Sequence, residues 1–379
     1  MTEGFSAGCR WGDGMRDIPT VTKEEFHELA TNDPDMVHES PWIVSGLMET
    51  WSGYEAWGDL DALSSRFGHL DATAKSPQFS THKDAPINGV RTQYSTYLDY
   101  IRDPHRVREL YPEPWDFGSL DGFLAQDRPL YSANIRIVTS ASDPVLSEAD
   151  PFLPPPLEVW NASIPYYYQL FNHFWLLVSL PGALTPLHCD NNGTIALIAQ
   201  RQGEKKAVLY SPEDHRYVYN SEYGYLDPAN PDEAQYPDWK LAERWEGTLS
   251  PGQILVIGTD WSHYVETLTP SISLSLDVVN DSNIHDYSQA LDWAVSLGER
   301  IQKKPEIASR FSDRFKSLLS TSSASAIGRE AMIEILRASM MRSRQDNNPT
   351  FVQARFLDEL EAVVASSVEY APRRSFATV

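Results

Sequence analysis

The chain has 379 residues, a formal net charge of −22 and 41% hydrophobic residues, with 11 Trp, 18 Tyr and 14 Phe. That length holds one large domain with additions, or two domains. The acidic balance argues against sequence-independent binding to a nucleic acid backbone, which relies on Lys and Arg. It suits solubility and would also favour a basic substrate.

No apolar run approaches the length of a membrane span, and the N-terminus lacks a basic start followed by an apolar stretch. A soluble, intracellular protein of cytoplasm or nucleus is expected. Cys9 and Cys189 supply neither a disulfide framework nor a zinc-type spacing.

Residues 1–18 read as a loose leader. The first helix is expected over Val21–Ala30, with Thr22 as its cap and Glu25 three residues later completing a capping box. An apolar run at Pro41–Val44 follows, then a turn at Ser45-Gly46 and a second helix over Asp59–Phe67. Ser95–Arg102 is again helical, and Leu130–Val138 alternates as a strand does. The prolines at 151–156 mark a loop.

From Trp175 to Asn280 the chain reads as strands separated by turns, interrupted by a tyrosine- and proline-rich insertion from Ser211 to Trp245. An insertion of that length either covers a substrate or packs as a surface excursion. Gly252–Gly258 is a short buried strand. In Ser271–Val279, Ile272, Leu274, Leu276 and Val278 share one face; Ser273, Ser275, Asp277 and Val279 share the other. A half-polar face inside a barrel would receive a polar ligand, whereas the same serines on an outer face would only meet water.

After Asn280 the apolar spacing becomes helical, in four stretches between Ala290 and Val364. Residues 18–284 are therefore expected to form a catalytic domain with a β core from about 130, and 285–379 a helical appendage. The apolar stripes there, around Leu336 and Phe356, allow a homodimer face or packing on the barrel.

Three His-x-Asp pairs occur: His69/Asp71, His82/Asp84 and His188/Asp190. Only the last follows an apolar strand and a turn and precedes a second apolar run. In an extended segment residues i and i+2 face the same side, so His188 and Asp190 can converge on one ion. Two histidines and a carboxylate leaving open positions are the ligand set of non-haem Fe(II) oxygenases. His263, at the end of a distant strand, is the candidate third ligand. Cys189, between the first two, points away from them.

The segments PWIVSGLMETW, TYLDYI, TPLHCD, GEKKAVLYSPED and PGQILVIGTDWSHYVETL together resemble the Jumonji-C hydroxylases of the cupin-8 type, in particular the asparaginyl hydroxylases, from about Ile18 to Asn283. The resemblance implies a mainly β core with α additions, a double-stranded β-helix with N-terminal helices. It implies Fe(II) on His188, Asp190 and His263, with 2-oxoglutarate and O2 as cosubstrates. The far carboxylate of 2-oxoglutarate would be gripped by Lys205, with Thr185 and Tyr131 supporting it; Lys206 would face the other way. The implied activity is hydroxylation of a C–H bond, on a protein or peptide side chain or on a small metabolite. A metal-dependent cupin without 2-oxoglutarate, or a non-catalytic binding module, would use the same fold. Departures from the family pattern are Asp277 for a common asparagine, Val279 for an aromatic, and Gln253 and Gly258 for the usual Asp and Pro.

Overall fold

The computed structural model describes residues 15–33, 35–48, 51, 53–75, 89–111, 129–130, 135–138, 168–169, 173–190, 193–279 and 283. Tyr131, the pair His82/Asp84 and the whole C-terminal region, with its candidate dimer face, lie outside these residues.

The first strands in chain order are β1 (Met15–Asp17), β2 (Thr20–Thr22), β3 (Trp42–Ser45), β4 (Asp71–Lys75), β5 (Gly89–Gln93) and β6 (Ile135–Val138). Next come β7 (Tyr168–Gln169), β8 (His173–Ser179), β9 (Leu184–His188), β10 (Ile195–Gln202) and β11 (Lys205–Tyr210). The series ends with β12 (Tyr219–Asn220), β13 (Gly224–Tyr225), β14 (Arg244–Leu249), β15 (Ile254–Ile257), β16 (Ser262–Thr267) and β17 (Ser271–Val279). The helices that matter here are α1 (Lys23–Asn32), α2 (Met36–Glu39), α3 (Leu60–Phe67) and α4 (Tyr94–Arg102).

Helix α1 begins where the sequence places its cap: the Thr22 side chain accepts from Glu25 N–H, and the Glu25 side chain accepts from Thr22 N–H. Helix α3 is capped by Asp59, which accepts from the amides of Asp61 and Ala62.

The larger strands form two facing sheets. One has the order β1-β14-β11-β16-β9; the other runs β2-β3-β15-β10-β17-β8-β6, with β7 also on β17. Neighbours are antiparallel except β1/β14 and β2/β3. The interior between the sheets is one apolar cluster drawing Ala207, Leu209, Trp245 and Val265 from the first and Ile43, Ala196, Ile198, Leu255 and Ile257 from the second. The outer face of the second sheet (Leu176, Leu197, Val256, Leu274, Leu276) is covered by Phe26, Leu63, Phe67 and Tyr97 of the helices. Each such side chain fully buried contributes about 1.5–3 kcal/mol of transfer free energy.

The insertion between β11 and β14 covers the remaining outer face. Its Val218, Leu226, Tyr236 and Ala242 pack on Leu187, Val208, Tyr210 and Tyr264. Its apolar side chains are thus a packed excursion on the back of the first sheet.

The alternation in β17 resolves in favour of an inward polar face. Ile272, Leu274, Leu276 and Val278 pack outward against the helices. Asp277, Ser275 and Ser273 oppose Ala196, Ile198 and Gln200 on β10, whose Ala196 and Ile198 belong to the interior. Ser273 is fully buried and Ser275 partly buried, so this face is turned away from solvent at Ser273.

Candidate metal centre and its polar wall

Strand pairing brings the proposed ligands together. His188, at the end of β9, stands opposite His263 on β16, and Asp190 follows two residues later. Nε2 of His188 lies 3.7 Å from one Asp190 carboxylate oxygen, and Nε2 of His263 lies 3.8 Å from the other. One ligand atom from each of the three residues fits within 4.8 Å of the others, the sole such His/Cys/Asp/Glu group among the described residues.

The outer hydrogen bonds of the two rings fix their tautomers. His188 Nδ1 lies 2.9 Å from the Pro186 carbonyl oxygen, and His263 Nδ1 lies 3.2 Å from that of Trp261. A carbonyl only accepts, so each Nδ1 carries the proton and each Nε2 turns a lone pair toward Asp190. Burial, with the His263 ring beside it, pushes the His188 imidazole down to about 4 against the opposing pull of Asp190. Three acceptors therefore converge with no donor between them. A divalent cation satisfies that arrangement, and the nitrogen–oxygen donor set suits iron.

Thr185 opposes Val265 on β16 while His188 opposes His263. These β9 residues are three apart and their partners two apart; a register shift absorbs the extra residue. Both thus face the interior, where a regular strand would send them to opposite sides.

Lys205 and Lys206 part company as the hairpin register requires. Lys206 turns outward and pairs with Glu246 at 2.9 Å. Lys205 opposes Thr267, on the same face as Ala207, Leu209 and His263, and is 6% exposed. Among the described residues no carboxylate lies within ion-pair distance of it, and burial alone pushes its ammonium down to about 8. Along the strands Lys205 and His263 are about 13 Å apart. Gly203, with φ of +72°, makes the preceding turn, which sets this register.

Around Lys205 the interior is polar. Ser179 and Thr267 share a hydrogen bond of 2.9 Å, and Gln200 donates to Ser271 Oγ at 2.8 Å. Ser273 Oγ and Gln200 Oε1 are buried without a hydrogen-bond partner among the described residues. A buried ammonium on one sheet and unpaired polar atoms on the inward face of the other suit the far carboxylate of a dicarboxylate such as 2-oxoglutarate. Ser273 was signalled by the alternation of β17. Gln200 had a fainter sign, a lone polar residue ending an apolar run.

Asp277 lies on the metal-centre end of the same wall, accepting from Thr194 Oγ1 at 2.8 Å. Burial, then the charge of Asp190, pushes its carboxyl up to about 7. Cys189 is partly buried, its thiol within 3.6 Å of the Asp190 carbonyl oxygen; burial pushes that thiol up to about 12. It is an inert neighbour of the centre.

Residues 35–278 match the family described as "Cupin-like domain", well over half of the chain. Among curated proteins the chain is 38% identical to human HSPB1-associated protein 1 over 97 residues, 24% of this chain and 20% of that protein. It is 30% identical to human tRNA wybutosine-synthesizing protein 5 over 148 residues, 38% of this chain and 44% of that one. It is 25% identical to Jumonji C domain-containing protein 5 of Drosophila melanogaster over 269 residues, 68% of this chain and 59% of that one. Each match thus spans less than two thirds of the relative. No helix among the described residues is long and apolar enough to cross a membrane. With its two-sheet core, its His-Asp-His cluster and this match over residues 35–278, the chain belongs to the cupin-like domain family.

Proposed function

We propose that this protein is an Fe(II)- and 2-oxoglutarate-dependent oxygenase that hydroxylates a C–H bond on a protein or peptide side chain. The observation that carries this reading is the set of three converging acceptors, His188, Asp190 and His263, facing one point with no donor among them. When bound there, Fe(II) supplies the activation of O2 that removes hydrogen from an unreactive carbon, with 2-oxoglutarate as the reductant that leaves as succinate and CO2.

The chain's own residues bind, orient and shield. His188 and His263 hold the ion through Nε2 while the Pro186 and Trp261 carbonyls keep the rings in that tautomer. Asp190 contributes the compensating negative charge. Lys205 takes the far carboxylate of the cosubstrate, with the Thr185 hydroxyl from its own sheet and that of Ser273 from the facing one. Ala196, Ile198, Leu209 and Val265 line the interior with apolar surface that keeps water from the reacting centre. Tyr131, as a further hydroxyl on the carboxylate, belongs to this proposal on the family resemblance alone.

The relatives' names point two ways on substrate. One names a tRNA modification and another association with a protein. A net charge of −22 disfavours extended phosphate contacts, so the polypeptide substrate is the reading adopted. Asp277 on the inner wall, where the family often carries asparagine, weighs against inheriting asparaginyl specificity.

The test is succinate release from 2-oxoglutarate under titration with Fe(II). Saturable, iron-dependent release without added substrate, absent in His263→Ala, is expected. A protein that binds iron but never consumes 2-oxoglutarate is instead a cupin of other chemistry, and one that binds no metal is a recognition module.

A further inference from the structure

We infer that His38, on the N-terminal helix α2, is a positioning residue of the metal centre, holding the turn that delivers His263. This rests on the reading of His263 as a metal ligand. The turn is Gly258-Thr259-Asp260-Trp261, closed by Trp261 N–H donating to the Gly258 carbonyl at 3.4 Å. Asp260, its third residue, sits at φ +63°, the left-handed region that glycine or asparagine fills more readily. Among the described residues it is the sole non-glycine residue with positive φ. Strain of this kind persists only where the surroundings over-determine it.

Helix α2 supplies those surroundings. The Thr259 N–H donates to His38 Nδ1 at 3.3 Å, and the Trp261 indole N–H donates to the His38 carbonyl at 2.8 Å. The backbones approach so closely that a Cβ on Gly258 would lie 2.2 Å from the Val37 carbonyl oxygen and 3.0 Å from His38 Cα. Glycine at 258 is therefore required by the docking of α2, and the departure noted in the sequence acquires a cause.

The contact reaches the ligand through one residue. Trp261 is buried, its indole tied to His38, and its own carbonyl accepts the Nδ1–H of His263 at 3.2 Å. That bond selects the tautomer that leaves Nε2 available. His38 thus acts on His263 by fixing the turn at two points, Thr259 through its ring and Trp261 through its carbonyl. Its Nδ1 must accept, so a side chain with an acceptor at that position can replace it and an apolar one cannot.

The experiment compares wild type, His38→Leu and His38→Asn in the full chain, with Co(II) as the probe read by its visible absorption and by titration calorimetry. Circular dichroism establishes that each is folded. Asparagine sets its amide oxygen near the position of Nδ1. His38→Leu is expected to weaken Co(II) binding at least tenfold and to alter the absorption bands. His38→Asn is expected to restore affinity to within about threefold of wild type and to keep the bands. Should the leucine variant fail to fold, His38→Gln, whose acceptor lies one bond further out, takes its place with the same expectation of loss. Wild-type Co(II) affinity in the leucine (or glutamine) variant, or equal loss in the asparagine variant, overturns the role of His38. If His263→Ala binds Co(II) as tightly as wild type, it is the metal-ligand reading that fails, and this inference with it.

Discussion

His188 and His263 stand directly opposite each other across the β9/β16 pair, their ring centroids 4.1 Å apart, each with its outer nitrogen bonded to a carbonyl two residues earlier in the chain. Two rings on adjacent strands are held as one unit by backbone alone, and Asp190 closes the third side.

The convergence of acceptors makes the metal-free protein pay for its site. Asp190→Asn replaces one acceptor with a group able to donate. The metal-free variant is expected to melt at or above the wild-type temperature, a gain of about 1 kcal/mol. Its stabilisation by Mn(II), about 2.7 kcal/mol for wild type at a hundredfold excess over Kd, should vanish. Thermal melts with and without Mn(II) measure both, and a wild-type Mn(II) shift in the variant removes Asp190 from the ligand set.

Lys205 is a buried ammonium without a counter-charge among the described residues, and burial lowers it to about 8 from an ordinary 10.5. Below pH 8 folded and unfolded chains both carry the proton, so the penalty is present in full. As pH rises from 8 to 10.5 the folded lysine is neutral while the unfolded one is still charged, and stability rises. The slope should amount to roughly 3 kcal/mol across that window and be absent in Lys205→Met. Denaturant melts between pH 7 and 10.5 read it directly, and the methionine variant should lose 2-oxoglutarate turnover.

Asp277 works in the opposite sense. Its folded carboxyl is raised to about 7, against 3.8 in the ordinary state. Between those values the folded chain keeps a proton that the unfolded chain has released, so stability falls as pH rises from about 4 to 7. With screening at a partly open site the loss is about 1–2 kcal/mol. Asp277→Asn in the metal-free protein should flatten that slope, with its advantage over wild type greatest above pH 7. A variant whose stability tracks wild type across pH 4 to 8 would show that Asp277 titrates normally.

Gly203 holds the β10/β11 turn at φ +72°, and a Cβ there would lie 2.1 Å from the Pro270 carbonyl oxygen. Gly203→Ala combines a left-handed alanine with a backbone clash, so a loss of about 3 kcal/mol or more is expected. The same change loosens the register that sends Lys205 inward and Lys206 to Glu246. Binding of 2-oxoglutarate should therefore weaken in the variant even below its melting temperature, as fluorescence titration would record.

Much of this protein was legible in its residue order. The capping box at Thr22 and Glu25 and the alternation of Ser271–Val279 are local patterns, decided by neighbours a few residues away. The period of an extended chain nominated His188 and Asp190 as a pair, although Asp190 lies just past the end of β9, and the contrast between Lys205 and Lys206 follows from the same period. The destination of the polar face of β17 was not local. Its serines suit water or a barrel interior equally well, and only the sheet packed opposite decides that they face inward, with Ser273 fully buried.

The same division runs through the metal centre. Residue types and spacing nominated His188, Asp190 and His263. Their meeting depends on strand pairing between distant segments, which no local pattern encodes. Thr185 faces inward only because β9 shifts register against β16, and Gly258 is required only because α2 lies against it. The side of the sheet covered by the insertion was likewise decided by packing, since an apolar residue seeks any dry surface and only the assembled fold says which one is open to it. Sequence by itself determined which groups could do the chemistry; tertiary structure decided which of them share a space, because contact between remote segments is a property of the whole packed chain.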